Sequence, residues 1–240
     1  MTWKTTFNYS PNFNDKKRSK KSIKFLIFHY TGMKSEKKAI QRLTNIQSQV
    51  ASHYLIKFNG DIVIFVPDLY VAWHAGLSAW KKYSFLNKNS IGIEISNPGH
   101  EFGYKNFSKK QINSLIKLSS FLIKKYKISK KNILGHSDIS PLRKKDPGEK
   151  FPWEYLAKKK IGYWYKINKN RLADLRNKKC SKILKNQFFN HLFQIGYSKI
   201  YKHQNEKLIV KAFQRRFRPK LINGIIDREC LLISKKLAYN

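Results

Sequence analysis

Apolar positions along this chain recur with two different periods. Residues 23–30, IKFLIFHY, form a largely apolar, β-prone run that stops at His29 and a Thr-Gly pair, as a buried strand entering a loop does. The period then changes. Ile40, Leu43 and Ile46 fall at helical intervals within 35–47, and Ser35 stands where an N-cap belongs. Residues 52–67 read as two strands around Asn59-Gly60-Asp61, a hairpin turn. In 90–96, SIGIEIS, alternation is strict: Ile91, Ile93 and Ile95 share one face, while Gly92, Glu94 and Ser96 share the other. The clearest helix is 108–127, with Ser108 and Gln111 at capping-box spacing and Ile112, Leu115, Ile116, Leu122 and Ile123 on its apolar face. A short strand over 132–138 ends at His136, and a helix over 152–160 carries Pro152 near its first turn.

Strands alternating with helices, one hairpin included, predict an α/β protein with a mixed central β-sheet flanked by helices. Residues 161–180 have weak periodicity and suit a connection. Helical patterns resume at 183–197, 206–217 and 228–238, with a turn-rich link at 218–227, so a small C-terminal three-helix domain is expected. The expected boundaries are a domain over 1–165, a linker over 166–180 and a helical domain over 181–240.

Composition narrows the classes. No window approaches 18 uninterrupted apolar residues, so no transmembrane helix is expected. The first 21 residues have no apolar stretch before their basic cluster and do not read as a secretory signal. The cytoplasm is the expected compartment, with the periplasm or envelope as the alternative. Cys180 and Cys230 are too few for a disulfide scaffold and read as reduced thiols. The net charge of +36 predicts attraction to polyanions. The lysines are scattered, however, and no nucleic-acid motif accompanies them, so no specific nucleic-acid partner is expected. Oligomeric state is not written in the pattern.

The candidate chemistry lies at the strand ends. His29 and His136 each sit where a strand gives way to a loop, the place where ligands and catalytic groups collect in open α/β sheets. Asp146 follows in a loop bounded by proline and glycine, and Pro147 restricts its backbone. Two imidazoles and one carboxylate suit a single catalytic Zn²⁺ whose fourth position is left to water. Against this stands the plainer reading of two structural histidines and a solvated aspartate, in a chain with seven histidines. Glu94, facing away from three isoleucines, is either a solvated carboxylate or a general base in a cleft. Lys144 is either an oxyanion-stabilising cation or one surface lysine among many.

These residues occur in a series of linked motifs: FHYTG with His29, SHYLI with His53, AWHAG with His74, NSIGIEISN with Glu94, and GHSDISPLRKKDPGEKFPW with His136, Lys144 and Asp146. Together, over about residues 20–160, they closely resemble the zinc-dependent N-acetylmuramoyl-L-alanine amidases of the type-2 family, relatives of the peptidoglycan recognition proteins. The resemblance implies one Zn²⁺ held by His29, His136 and Asp146, Glu94 as catalytic base and Lys144 as transition-state stabiliser. An aspartate as third ligand resembles the bacterial enzymes; the animal ones carry cysteine. His74 with Trp73 is similar to the family's cleft wall, which makes them candidates for substrate contact or for packing, and Arg143 is either a partner for a stem-peptide carboxylate or an exposed side chain. The C-terminal stretch, with AFQRRFRP and a G-x-x-D turn, resembles the peptidoglycan-binding three-helix module, although Arg228-Glu229-Cys230 follows where that module has threonine. The implied activity is hydrolysis of the amide joining N-acetylmuramic or anhydro-muramic acid to L-alanine. Peptidoglycan or muropeptide fragments are then the partners. A non-catalytic peptidoglycan-recognition protein is the alternative, and the presence of every ligand and the base argues against it.

Overall fold

The structure, a computed structural model, describes residues 4–239; Met1–Trp3 and Asn240, at the ends of the two expected domains, lie outside the described residues. The strands are β1 (Thr5–Phe7), β2 (Phe13–Asn14), β3 (Phe25–Tyr30), β4 (Tyr54–Ile56), β5 (Ile62–Ile64), β6 (Val71–Ala72), β7 (Ala79–Trp80), β8 (Tyr83–Ser84), β9 (Ser90–Ile95) and β10 (Ile133–Gly135). Six of them form the main sheet, in the order β1-β5-β4-β9-β3-β10. Every neighbouring pair is parallel except the β4–β5 hairpin, so the sheet is mixed, as expected. Two small antiparallel ribbons, β2–β6 and β7–β8, stand beside it.

The helices are α1 (Glu36–Thr44), α2 (Lys109–Tyr126), α3 (His136–Ile139), α4 (Trp153–Lys158), α5 (Lys169–Leu175), α6 (Lys182–Ile195), α7 (Lys199–Gln204), α8 (Glu206–Phe217) and α9 (Arg228–Ala238). The caps are those the sequence indicates. Ser35 accepts from the Lys38 amide, and Ser108 and Gln111 form the reciprocal capping box of α2. Two boundaries differ from expectation. α1 stops at Thr44 because Asn45 turns to cap the following 3₁₀ turn, which leaves Ile46 exposed. The strand expected to end at His136 stops one residue earlier, at Gly135, because the Asp138 carboxylate accepts the Gly135 amide at 2.8 Å and winds the next four residues into α3.

The alternation in β3 and β9 divides the core into two layers. Leu26 and Phe28, with Ile91, Ile93 and Ile95, pack against Ile112, Leu115, Leu118 and Leu122 of α2 and Leu156 of α4. On the opposite face Phe25 and Ile27, with Leu134 and Ile139, share one apolar cluster with Phe188, Leu192, Phe213, Phe217 and Ile233 of the C-terminal helices. The three expected helices are present as α6, α8 and α9, joined by two short ones, α5 and α7. α5 falls within the expected linker. Asn168 caps it and Leu172 buries its single apolar anchor, too little to give a visible period. Asp227 caps α9 without the usual threonine, accepting the Cys230 amide at 2.9 Å.

A buried ion pair ties the two regions together. Arg216 of α8 is 2% exposed and pairs with Asp138 of α3. It also donates to the Ile133 carbonyl at 2.9 Å and lies 4.1 Å from the Trp153 ring centroid. The Tyr197 hydroxyl donates to the other Asp138 oxygen at 2.8 Å, and the Tyr201 hydroxyl to the Ile139 carbonyl at 2.9 Å. Among the described residues, no helix is long and apolar enough to cross a membrane.

Candidate active site

Sheet register builds the site. His29 of β3 pairs directly with Glu94 of β9, and Gly135 of β10 pairs with Phe28 of β3. His136, the next residue, therefore emerges beside His29 at the C-terminal ends of three adjacent parallel strands. The loop after α3 folds back so that the Ser137 amide donates to the Asp146 carbonyl at 2.8 Å. The Asp146–Pro147 peptide is cis. Gly148 has φ +86°, and a Cβ there would meet the Tyr104 hydroxyl, which donates to the Pro147 carbonyl at 2.7 Å.

Three donor atoms converge. His29 Nδ1 lies 3.0 Å from His136 Nδ1, and Asp146 Oδ2 lies 3.1 Å from the first and 3.0 Å from the second. All three residues are buried, and among the described residues they form the one such cluster of His, Cys, Asp and Glu donors. The triangle is close to one face of a coordination tetrahedron, since Zn²⁺ with bonds of about 2.0–2.1 Å holds its ligands roughly 3.3 Å apart. Proton accounting agrees. His136 Nε2 faces the Ala75 carbonyl at 3.1 Å and must donate to it, which leaves Nδ1 with a bare lone pair in the neutral ring. Burial alone would raise the Asp146 carboxyl, but the His136 and His29 imidazoles hold it well below the usual carboxylate range. Burial, then His136, pushes His29 down to about 4, so it is neutral near pH 7. Acceptors crowded together in this way fit a divalent cation.

Glu94 borders the same cleft, whose volume is about 380 Å³ and whose wall also includes Tyr30, Met33, Arg42, Leu43, Glu101 and Lys144. Its Oε2 is enclosed and has no hydrogen-bond partner among the described residues. Burial, then the Asp146 charge, pushes its carboxyl up to about 8, against the pull of Lys144 and Arg42. The metal-free native state therefore holds a proton that the unfolded chain releases near 4.5, and stability falls as pH rises from there toward about 8. Glu94→Gln should flatten that part of the metal-free thermal-unfolding profile; an unchanged slope would show that Glu94 titrates normally.

The cleft gathers His29, His74, Glu94, His136, Lys144 and Asp146. It does not gather Trp73, whose indole donates to Asn14 at 2.8 Å, or Arg143, an exposed side chain that donates to the Leu77 carbonyl at 2.8 Å. His74 is buried behind the metal-facing atoms, with Nδ1 3.0 Å from His29 Nε2 and Nε2 3.1 Å from Ser90 Oγ. A Cβ at residue 92 would come within 2.5 Å of the His74 ring, which explains a glycine in mid-strand. His53 is held within the sheet: its Nδ1 accepts the Gly92 amide at 3.0 Å. Tyr30, Arg42, Ser90 and Glu101 escape sequence reading. Only Ser90 carries a signal there, since it continues the polar face of Gly92 and Glu94 in the alternating strand.

The family described as N-acetylmuramoyl-L-alanine amidase matches residues 19–149. N-acetylmuramoyl-L-alanine amidase AmiD of Escherichia coli is 34% identical over 229 residues, covering 90% of this chain and 82% of AmiD. The 1,6-anhydro-N-acetylmuramyl-L-alanine amidase AmpD of Haemophilus influenzae is 35% identical over 167 residues, covering 62% of this chain and 88% of AmpD. Among solved structures, the complex of E. coli AmiD with anhydro-N-acetylmuramic acid-L-Ala-D-gamma-Glu-L-Lys aligns with a TM-score of 0.78 at 34% identity, over 93% of this chain and 91% of that one. AmpDh3 of Pseudomonas aeruginosa in complex with anhydromuramic pentapeptide also aligns with a TM-score of 0.78, at 29% identity, over 93% of this chain and 95% of that one.

Proposed function

The chain belongs to the N-acetylmuramoyl-L-alanine amidase family, and from that premise we propose that it is a zinc-dependent hydrolase of muramyl and anhydro-muramyl peptides. The bond cut is the amide between the lactyl group of the sugar acid and L-alanine. The observation that carries this reading is the convergence of His29, His136 and Asp146 beside Glu94, its Oε2 enclosed without a partner. The two structural neighbours, solved with anhydro-muramyl peptides, support the substrate class.

A divalent ion held by His29, His136 and Asp146 would polarise the scissile carbonyl and acidify water. The chain's own residues do the rest. Glu94 takes the proton from the attacking water and returns it to the L-alanine nitrogen as the C–N bond breaks. Lys144, close enough for its charge to act on both His29 and Glu94, stabilises the oxyanion of the tetrahedral intermediate. A dication held by the triad would favour the Glu94 carboxylate by opposite charge, and so would let Glu94 act as a base near neutral pH.

The test is to measure zinc per chain in the purified protein. Stem-peptide release from soluble anhydro-muropeptides and from intact sacculi is then followed with and without chelator. Zinc near one per chain, release of free peptide, and loss of release on chelation that added zinc reverses are expected. Intact substrate in the presence of bound zinc would leave only recognition. Asp146→Ala should lower zinc content and turnover together, with metal affinity weakened at least about 100-fold; unchanged zinc content would remove Asp146 from the coordination shell.

A further inference from the structure

We infer that the two-residue segment His74-Ala75, pinned by Asn87 and Ser90, is a positioning device that fixes the tautomer of both metal-facing imidazoles. The inference rests on the metal-site reading above and assigns the AWHAG stretch a task other than contact with substrate.

The Ser90 hydroxyl lies 2.6 Å from the Leu86 carbonyl, and a carbonyl only accepts, so the one hydroxyl proton is committed there. Ser90 Oγ, 3.1 Å from His74 Nε2, can then only accept, and His74 must carry its proton on Nε2. His74 Nδ1 is left as an acceptor, 3.0 Å from His29 Nε2. His29 must therefore protonate Nε2 and turn the bare Nδ1 lone pair toward His136 and Asp146. Ala75, the next residue, does the same for the other ring by accepting from His136 Nε2 through its carbonyl at 3.1 Å. One side chain holds the segment in place: Asn87 Oδ1 accepts the His74 amide at 3.1 Å and the Ala75 amide at 2.7 Å. Gly92 leaves the space in which the His74 ring lies. Both rings thus meet the centre with lone pairs selected by a segment that contributes no metal ligand. Removing the partner of a ligating imidazole costs about 10–100-fold in metal affinity.

Ser90→Ala is the sharpest probe, because it deletes one buried oxygen that touches neither the metal-facing atoms nor the cleft. Without that acceptor, His74 is free to move its proton to Nδ1. It would then donate to His29 Nε2, drive the His29 proton to Nδ1 and block the lone pair. In long-range ¹H–¹⁵N spectra of metal-free protein, His29 and His74 should both read as Nε2–H in wild type and lose that single state in Ser90→Ala. Zinc affinity, measured by competition with a chelating dye, should weaken about 10–100-fold. At excess zinc, kcat should recover with KM unchanged. His74→Gln, which keeps an acceptor toward His29 and a donor toward Ser90, should retain zinc within a few-fold, whereas His74→Leu should not. Asn87→Asp, which keeps the acceptor for both amides, should likewise outperform Asn87→Leu. Wild-type tautomers and zinc affinity within two-fold in Ser90→Ala would overturn the inference, even if thermal stability dropped. Failure of the wild-type protein to bind zinc would instead overturn the metal-site reading beneath it.

Discussion

Glu94→Gln is expected to lower amide hydrolysis by about 10³-fold or more while zinc stays bound at the wild-type level. Proton transfer by a positioned carboxylate contributes about 10²–10⁴ in rate, and the amide nitrogen, a poor leaving group unless protonated, depends on it twice. Glutamine keeps the size of the side chain and can still hydrogen-bond water, so it removes only the proton acceptor. Glu94 lies one strand away from His29 and contributes no atom to the three-donor cluster, so metal affinity has no reason to fall. Single-turnover hydrolysis of an anhydro-muropeptide, with zinc measured on the same samples, decides the matter. Activity within a few-fold of wild type would assign the base to another group. Zinc lost along with activity would place Glu94 on the metal.

The second large effect is on stability. Arg216→Met leaves the Asp138 carboxylate enclosed without its cation, and stranding one partner of a buried pair costs about 3–5 kcal/mol. In a protein of this size each kcal/mol lowers Tm by about 2–4 °C, so a fall of about 10 °C is expected. The double variant Arg216→Met with Asp138→Asn removes the stranded charge, keeps an acceptor for the Gly135 amide and can donate its NH2 to the Tyr197 hydroxyl oxygen, so it should recover much of the loss. Differential scanning calorimetry of the single and double variants measures both. A change below about 1 kcal/mol in the single variant would mean that water or another cation replaces the guanidinium. Because Asp138 lies two residues from His136 on the same helical turn, zinc affinity of the single variant should fall as well.

Much of this site is legible in the sequence because its parts lie where local signals are strongest. His29 ends an apolar run, His136 follows another, and Asp146 stands in a segment that proline and glycine keep out of regular structure. What brings them together is not local. The His29–Glu94 register depends on β3 lying between β9 and β10, and no pattern within a strand encodes which distant strand becomes its neighbour. β1 went unread for the opposite reason: Thr5, Thr6 and Phe7 are all exposed, so there is no alternation to detect. The role of His74 was hidden by its neighbours. Beside Trp73 it resembles a cleft wall, and only the Ser90 contact shows the ring turned inward. Arg216 is one of 50 basic residues, and nothing in composition distinguishes it as buried. Local chemistry therefore locates the candidate donors, while the groups that contact their far nitrogens lie 45 and 61 positions away.

The apolar cluster shared by the sheet and the C-terminal helices also sets a timetable for biosynthesis. The three candidate metal donors are all encoded by residue 146, but the helix whose Arg216 pairs with Asp138 of α3 ends at Phe217. A nascent chain thus exposes Phe25, Ile27 and Leu134 until its last segments emerge to cover them. A chain ending after the catalytic motifs would leave Phe25, Ile27 and Leu134 without the C-terminal helices that cover them.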